Sequence, residues 1–267
     1  MNIPFHKAHG ASNDFLLTWR AQLPSGISDF AVAAQAICQR HTGAGADGWI
    51  LLGPGGAEAD SSLELWNSDG SRSEISGNGT RCAAALLVEG GCKSEPIRIA
   101  TGAGVKSLRL LERSGHRYSF EMNMGAAAIE DLDADLQLAP VSGRACVVLN
   151  VGNPQCAVFV DDFGFDWAAL GALLERHPRF PRRTNVSFVH AVDAHTLDVR
   201  FFERGAGVTM SSGTGSTGAA AAAIARGIAA SPVTVRTPAG PLNLRLEGQD
   251  YFLAGPAEIV ATGEYYY

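Results

Sequence analysis

The chain states one theme twice, and that duplication constrains its fold more than any other feature of its 267 residues. The first statement runs "HGASNDFLL", "RHTGAGADGWILL" and "NSDGSRSEISGNGTRCAAALL"; the second runs "VGNPQCAVFV", "HPRFPRRTNVSFV" and "FERGAGVTMSSGTGSTGAAAA". Both arrive at Ser-Gly-x-Gly just before alanine-rich text. Asn13 precedes Ser76 by 63 positions, and Asn153 precedes Ser212 by 59. Two such halves predict two equivalent domains, their glycine turns facing each other across a cleft.

Apolar and alternating runs within each half predict strands at "SLELW", "IRIAT", "YSFEMNM", "CVVLNV", "CAVFV", "TNVSFVHA", "TLDVRFF" and "VTVRT". Helical spacing predicts helices over 29–40, with Asp29 as N-cap, and over 166–177. Two more helices are expected after the glycine turns, over Arg81–Glu89 and Thr217–Ala230. The acidic stretch "IEDLDADLQ" (129–137) reads as a polar connector. The mixture is α+β, and 267 residues suffice for one large or two ordinary domains with ample core. No account is found for the terminal "EYYY", which suits an edge strand or a surface patch.

A helix begins with about four unpaired N–H groups and a partial positive charge. Glycines there admit a ligand to the backbone, so each turn can hold an anion. No Lys follows either turn and no GxxxxGK[ST] occurs, which makes a carboxylate a better guest than a nucleotide phosphate. Those same amides would stabilise charge developing at a neighbouring Cα. Asn13, Asn67, Asn78, Asn153 and Asn185 lie in or beside turns and serve either the turn or a ligand. Glu203-Arg204 is an exposed ion pair, or a fork for a second carboxylate. Together these features fit a small amino acid or di-acid.

Other chemistries find less support. A formal charge of -6 argues against a nucleic-acid surface. No apolar run is long enough to span a membrane, and "MNIPFHKAHG" is not a signal peptide. Cys38, Cys82, Cys92, Cys146 and Cys156 form no CxxC and suit reduced, buried thiols in the cytoplasm. His177, His190 and His195 lack zinc spacing, so no metal is expected. His9 and His41 would need a serine in a G-x-S-x-G elbow to suggest a hydrolase, and neither glycine turn is one.

With these residues in view, "KAHGASNDFLL", "NSDGSRSEISGNGTRC", "GNPQC", "RFPRRTNVSFV" and "ERGAGVTMSSGTG" resemble the diaminopimelate epimerase family. The resemblance extends to "LAGPAEIVATGE" near the C-terminus. It implies two pseudo-symmetric domains, each a mixed sheet or partial barrel around a central helix. The first would run over 1–123 with 256–267 returning to it, the second over 124–255, with the active-site cleft between them. It further implies a cofactor-independent isomerase of the lysine and cell-wall precursor route, a cytoplasmic homodimer. Gly77-Asn78 and Gly213-Thr214 would hold the reacting carboxylate. Asn13, Asn67, Asn153, Asn185 and Arg204 fall on substrate-binding positions, Glu203 on an acidic residue that assists proton transfer. Gly48 stands where many members carry a binding glutamine.

The family's two catalytic cysteines are here Ser76 and Ser212, and the histidine of "GNPH" is Gln155. A thiol titrates near ~8.5 and is readily activated, whereas a serine hydroxyl needs an adjacent base. Glutamine cannot be that base. Three functions remain open. One is an epimerase that exchanges protons through both serines. Another is a cysteine-free isomerase with Glu203 as single base, Glu74 and Asp69 being weaker candidates. The third is a non-catalytic amino-acid binder, in which Ser76 lines the cleft and donates a hydrogen bond.

Overall fold

A computed structural model describes residues 1–136 and 145–267. The chain forms two compact units, Met1–Met122 with Gly255–Tyr267, and Asn123–Ala254. Among the described residues no helix is long and apolar enough to cross a membrane.

In the first unit β1 (Asn2–Gly10) turns into β2 (Asn13–Trp19), and a 3-10 turn and α1 (Phe30–Cys38) lead to β3 (Gly48–Pro54). β3 runs parallel to β2, and β4 (Ser61–Asn67) returns antiparallel to β3. The short β5 (Arg72–Ser73) precedes α2 (Gly77–Glu89), after which β6 (Ile97–Thr101) pairs parallel with β4. β7 (Gly104–Ser114) and β8 (Arg117–Ala126) follow as antiparallel neighbours.

The second unit repeats this order. After β9 (Ala128–Asp131), β10 (Cys146–Asn150) and β11 (Pro154–Phe159) form a hairpin, and α3 (Trp167–Glu175) crosses to β12 (Asn185–Asp193), parallel to β11. β13 (Thr196–Glu203) returns antiparallel, followed by β14 (Gly207–Thr209) and α4 (Gly213–Ala225). β15 (Val233–Thr237) pairs parallel with β13, and β16 (Gly240–Glu247) and β17 (Asp250–Tyr266) close the series. The expected α+β architecture is therefore present twice, with matching pairings.

Small side chains explain the central helices. α2 is buried continuously from Gly77 to Leu87 and packs on β1, β2, β3, β4 and β6. α4 is buried along Gly213 and Gly215–Ala223 and packs on β10–β13, β15 and β16. A helix apolar on every face needs protein on every face, and alanine lets the strands approach. The crossover helices are one-sided instead. Ala33, Ala34 and Ile37 of α1 join Trp49 and Leu51, and Leu170 and Leu174 of α3 join Val186 and Phe188. Asp29 caps α1 by accepting from Ala31 and Val32, as its sequence position predicts.

Three expectations change. The central helices begin at Gly77 and Gly213, four residues before Arg81 and Thr217, so the glycine turns are their first turns. The acidic stretch is not merely a connector: Ala128–Asp131 is a strand paired with β10, and Gln137 lies outside the described residues. The tyrosines end β17, which pairs with β1 as Ile3↔Tyr265, and Tyr265 and Tyr267 pack against the first core.

The second glycine of each Ser-Gly-x-Gly is required by packing. A Cβ at Gly79 would stand 2.9 Å from Ile50 Cδ1, and one at Gly215 2.8 Å from Phe201 Cδ1. Gly215→Ala is expected to cost about 1–3 kcal/mol through this overlap. Urea unfolding checks it: the midpoint should fall with the slope unchanged.

Candidate active site

Each central helix opens on a serine in extended conformation, a geometry that lets its side chain turn back on the helix. Ser76 Oγ accepts from Gly79 N–H at 3.1 Å, and Ser212 Oγ from Gly215 N–H at 3.1 Å. Both are N-caps. The serine carbonyls take the amides of Thr80 and Ser216. By helix geometry the amides of Gly77 and Asn78, and of Gly213 and Thr214, have no intrahelical acceptor. Each start therefore presents two backbone donors.

Asparagines stand beside these donors through equivalent bonds in the two units. Asn78 Nδ2 donates to Asn13 Oδ1 at 3.3 Å, and Asn153 Nδ2 donates to Thr214 Oγ1 at 3.3 Å. Asn13, from the β1–β2 turn, itself donates to Asp47 at 2.8 Å, and Asp47 is paired with Arg40. Gln155 Nε2 donates to Asn153 Oδ1 at 2.7 Å. Gln155 Oε1 is buried and has no partner among the described residues.

Strand register adds the next row. Gly48 lies opposite Asn67 in the first unit. In the second, Gln155 pairs with Asn185, and continuing the β12–β13 register by one residue sets Asn185 beside Glu203. Asn67 precedes Ser76 by 9 residues, as Glu203 precedes Ser212. The repeat thus places an amide at one helix start and a carboxylate at the other.

Glu203 is bonded where it matters for chemistry. Thr209 Oγ1 donates to its Oε1 at 2.7 Å, and the capping hydroxyl of Ser212 stands near enough to the carboxylate to favour its charged form. Burial outweighs these hydroxyl bonds and raises its pKa above the ordinary carboxylate value. Its partners are these hydroxyls; the Glu203–Arg204 ion pair is not formed. Arg204 is exposed, its Nη1 donating to Arg182 O at 3.3 Å.

The remaining expected residues shape their loops. Asn185 donates to Pro154 O at 3.0 Å and accepts from Arg204 N–H at 3.0 Å, which joins two strand ends. Asn67 donates to Ser71 Oγ at 2.9 Å within the tight β4–β5 turn. Asp69 accepts from the Ser71 side chain and amide, which lower its pKa, so it is a weaker base than Glu203. Glu74 is exposed. No cysteine replaces the missing thiols at the helix starts. Burial pushes the Cys82 thiol, on α2, up to about 12, and raises Cys156 as well.

Two features escape motif reading. Glu175 on α3 accepts from Gly205 N–H at 2.9 Å and so holds the turn after Glu203. The approach of Ser212 to Glu203 requires the β13–β14 hairpin and α4 to be placed together, which spacing alone does not reveal. Among the described residues, no cluster of three or more His, Cys, Asp or Glu could hold a metal.

Residues 5–130 and 147–265 match the sequence profile of diaminopimelate epimerase. A diaminopimelate epimerase of Pelotomaculum thermopropionicum is 38% identical over 277 residues, covering 98% of this chain and 99% of that protein. A hydroxyproline epimerase of Agrobacterium vitis, solved with bound trans-4-hydroxy-L-proline, superposes with a TM-score of 0.72 at 18% identity, covering 98% of this chain and 90% of that one. A PhzF-family phenazine biosynthesis protein of Bacillus anthracis gives 0.74 at 13% identity, covering 99% of each chain. These two likenesses establish the fold.

The raised Glu203 pKa fixes a stability signature. A folded pKa above the unfolded value makes ionised Glu203 a liability to the fold at neutral pH. The stabilising contribution is complete below the unfolded pKa, about 4.3, and is lost as pH rises through the folded value. Glu203→Gln is therefore expected to raise the melting temperature at pH 8, with the gain vanishing near pH 4. Thermal melts across that range check it.

Proposed function

The chain belongs to the diaminopimelate epimerase family, and from that membership and its two capped helix starts we propose a cofactor-independent isomerase acting at the Cα of a small amino acid or di-acid. The observation that carries the reading is the contact between Ser212 and Glu203. A serine hydroxyl alone is too weak an acid or base to exchange a Cα proton. Bonded to a carboxylate of raised pKa it becomes a relay: the hydroxyl takes the Cα proton as it passes its own to Glu203. The amides of a helix start then stabilise the charge left on the substrate carboxylate.

In this reading a helix start holds the substrate carboxylate, and the duplicated caps and the family match support that. Asn13, Asn67, Asn78, Asn153, Asn185 and Arg204 supply its polar shell, and diaminopimelate is the first substrate to try. Among the described residues, the first start offers Ser76 no titratable partner within its own unit comparable to Glu203. That favours a single-base isomerisation, in which one group takes and returns the proton. Two-face epimerisation is the second reading, favoured by the match to named epimerases along almost the whole chain.

Incubation with LL-diaminopimelate in deuterium oxide tests both. Deuterium at Cα is expected, with inversion only if both faces are served. Glu203→Gln should lower the exchange rate by about 10²–10⁴-fold with little change in KM. Wild-type protein that binds the di-acid without labelling it would leave a binder and remove the isomerase.

A further inference from the structure

Arg81 is the one large charged side chain with no exposed surface in the central helices, 0% exposed on α2. It follows Ser76 by 5 residues, where the second unit has Thr217. A buried guanidinium is ordinarily matched by a carboxylate. Here Nε donates to Pro256 O at 3.0 Å and Nη2 to Asn78 Oδ1 at 2.5 Å, both neutral acceptors. Nη1 has no partner among the described residues.

Carboxylates on strands packed near it are engaged elsewhere. Asp14 on β2 is paired with Lys7 and Arg40, Glu64 on β4 with Arg20 and Arg72, and Glu258 on β17 with Arg117 and His9. The adjacent Cys82 thiol stays neutral, since burial raises its pKa to about 12. The surroundings are also tight. A Cβ on Gly10 would come within 3.1 Å of Pro256 O and 3.2 Å of the Asn78 backbone oxygen, so Gly10 closes on one acceptor and on the backbone that carries the other.

We infer that Arg81 is a positioning residue that makes the start of α2 the carboxylate seat of the site. It does so in two ways. By donating to Asn78 Oδ1 it turns the carboxamide so that Nδ2 is the donor to Asn13. Its uncompensated charge then favours an anion at the amides of Gly77 and Asn78. The bound carboxylate supplies the counter-charge that the protein withholds. This assigns unlike roles to the two starts: a cation supports the first, and a carboxylate, Glu203, supports the second. The inference rests on the proposed function above and specifies its substrate's orientation. Burial also pulls the guanidinium down to about 10, so its charge persists through the neutral range.

Calorimetric titration of the whole chain with LL-diaminopimelate tests it. Arg81→Met is expected to raise Kd by about tenfold or more, as loss of a charged hydrogen-bonding partner does. Arg81→Lys should bind within about threefold of wild type at pH 6 and weaken relative to wild type toward about pH 8.5, because a buried ammonium loses its proton more easily than the guanidinium. A merely structural arginine would not produce that pH drift. Should Arg81→Met fail to fold, the lysine variant carries the test. Methionine-variant binding within about twofold of wild type, or a lysine variant that tracks wild type at every pH, overturns the inference and leaves the proposed function standing. Wild-type protein that binds no di-acid overturns that function, and the inference with it.

Discussion

The bond from a cap serine to the third amide of its helix is the constraint on which both halves depend. It fixes where each central helix starts, and hence which amides are left over. With Gly79 and Gly215 committed to Ser76 and Ser212, the first two amides of each helix remain for a ligand. Were the helices to start at Arg81 and Thr217, those donors would be consumed in a loop and no anion seat would exist. The requirement for glycine at the third position is steric, because Ile50 and Phe201 close on the first turn.

The serine caps and the asparagines beside them are legible in the sequence, since turn asparagines and Ser-Gly-x-Gly are local signals that repeat. So were strands with a continuous apolar run, such as Cys146–Asn150, or with clear alternation, such as Thr196–Glu203. Strand β7 is mostly exposed and lacks an apolar face, and its pattern carries no such signal. The helix starts were misplaced by one turn because glycine reads as a turn former, whereas a buried helix tolerates it where the sheet leaves no room for a Cβ. Long-range pairings, Arg81 with Pro256 at a separation of 175 residues, have no signature in spacing at all.

The two halves share a backbone plan and have parted in charge. Equivalent positions carry Asn67 and Glu203 at the strand ends, and Arg81 and Thr217 inside the helices. A duplicated binding element needs no such difference if each copy does the same work. A reaction that holds a carboxylate and moves a proton does need it, because a cation beside the base would lower the base's pKa and a carboxylate beside the seat would repel the ligand. Keeping the two charges in separate copies lets both demands be met on one fold.

The serines themselves follow from this division of labour. A thiol is a weak hydrogen-bond acceptor, while serine is among the best N-caps, worth about 1 kcal/mol over alanine. Serine at positions 76 and 212 therefore strengthens the helix starts, and in the proposed reaction it would be a weaker acid than a thiol. In the second unit the hydroxyl can serve both ends, accepting from Gly215 while donating to Glu203. In the first it accepts from Gly79 and, among the described residues, has no carboxylate beside it, while Arg81 donates to Asn78 of the same turn instead. The stronger cap leaves the first start suited to holding and the second to proton transfer, so the chemical asymmetry arises from one hydroxyl having a base to lean on and the other having none.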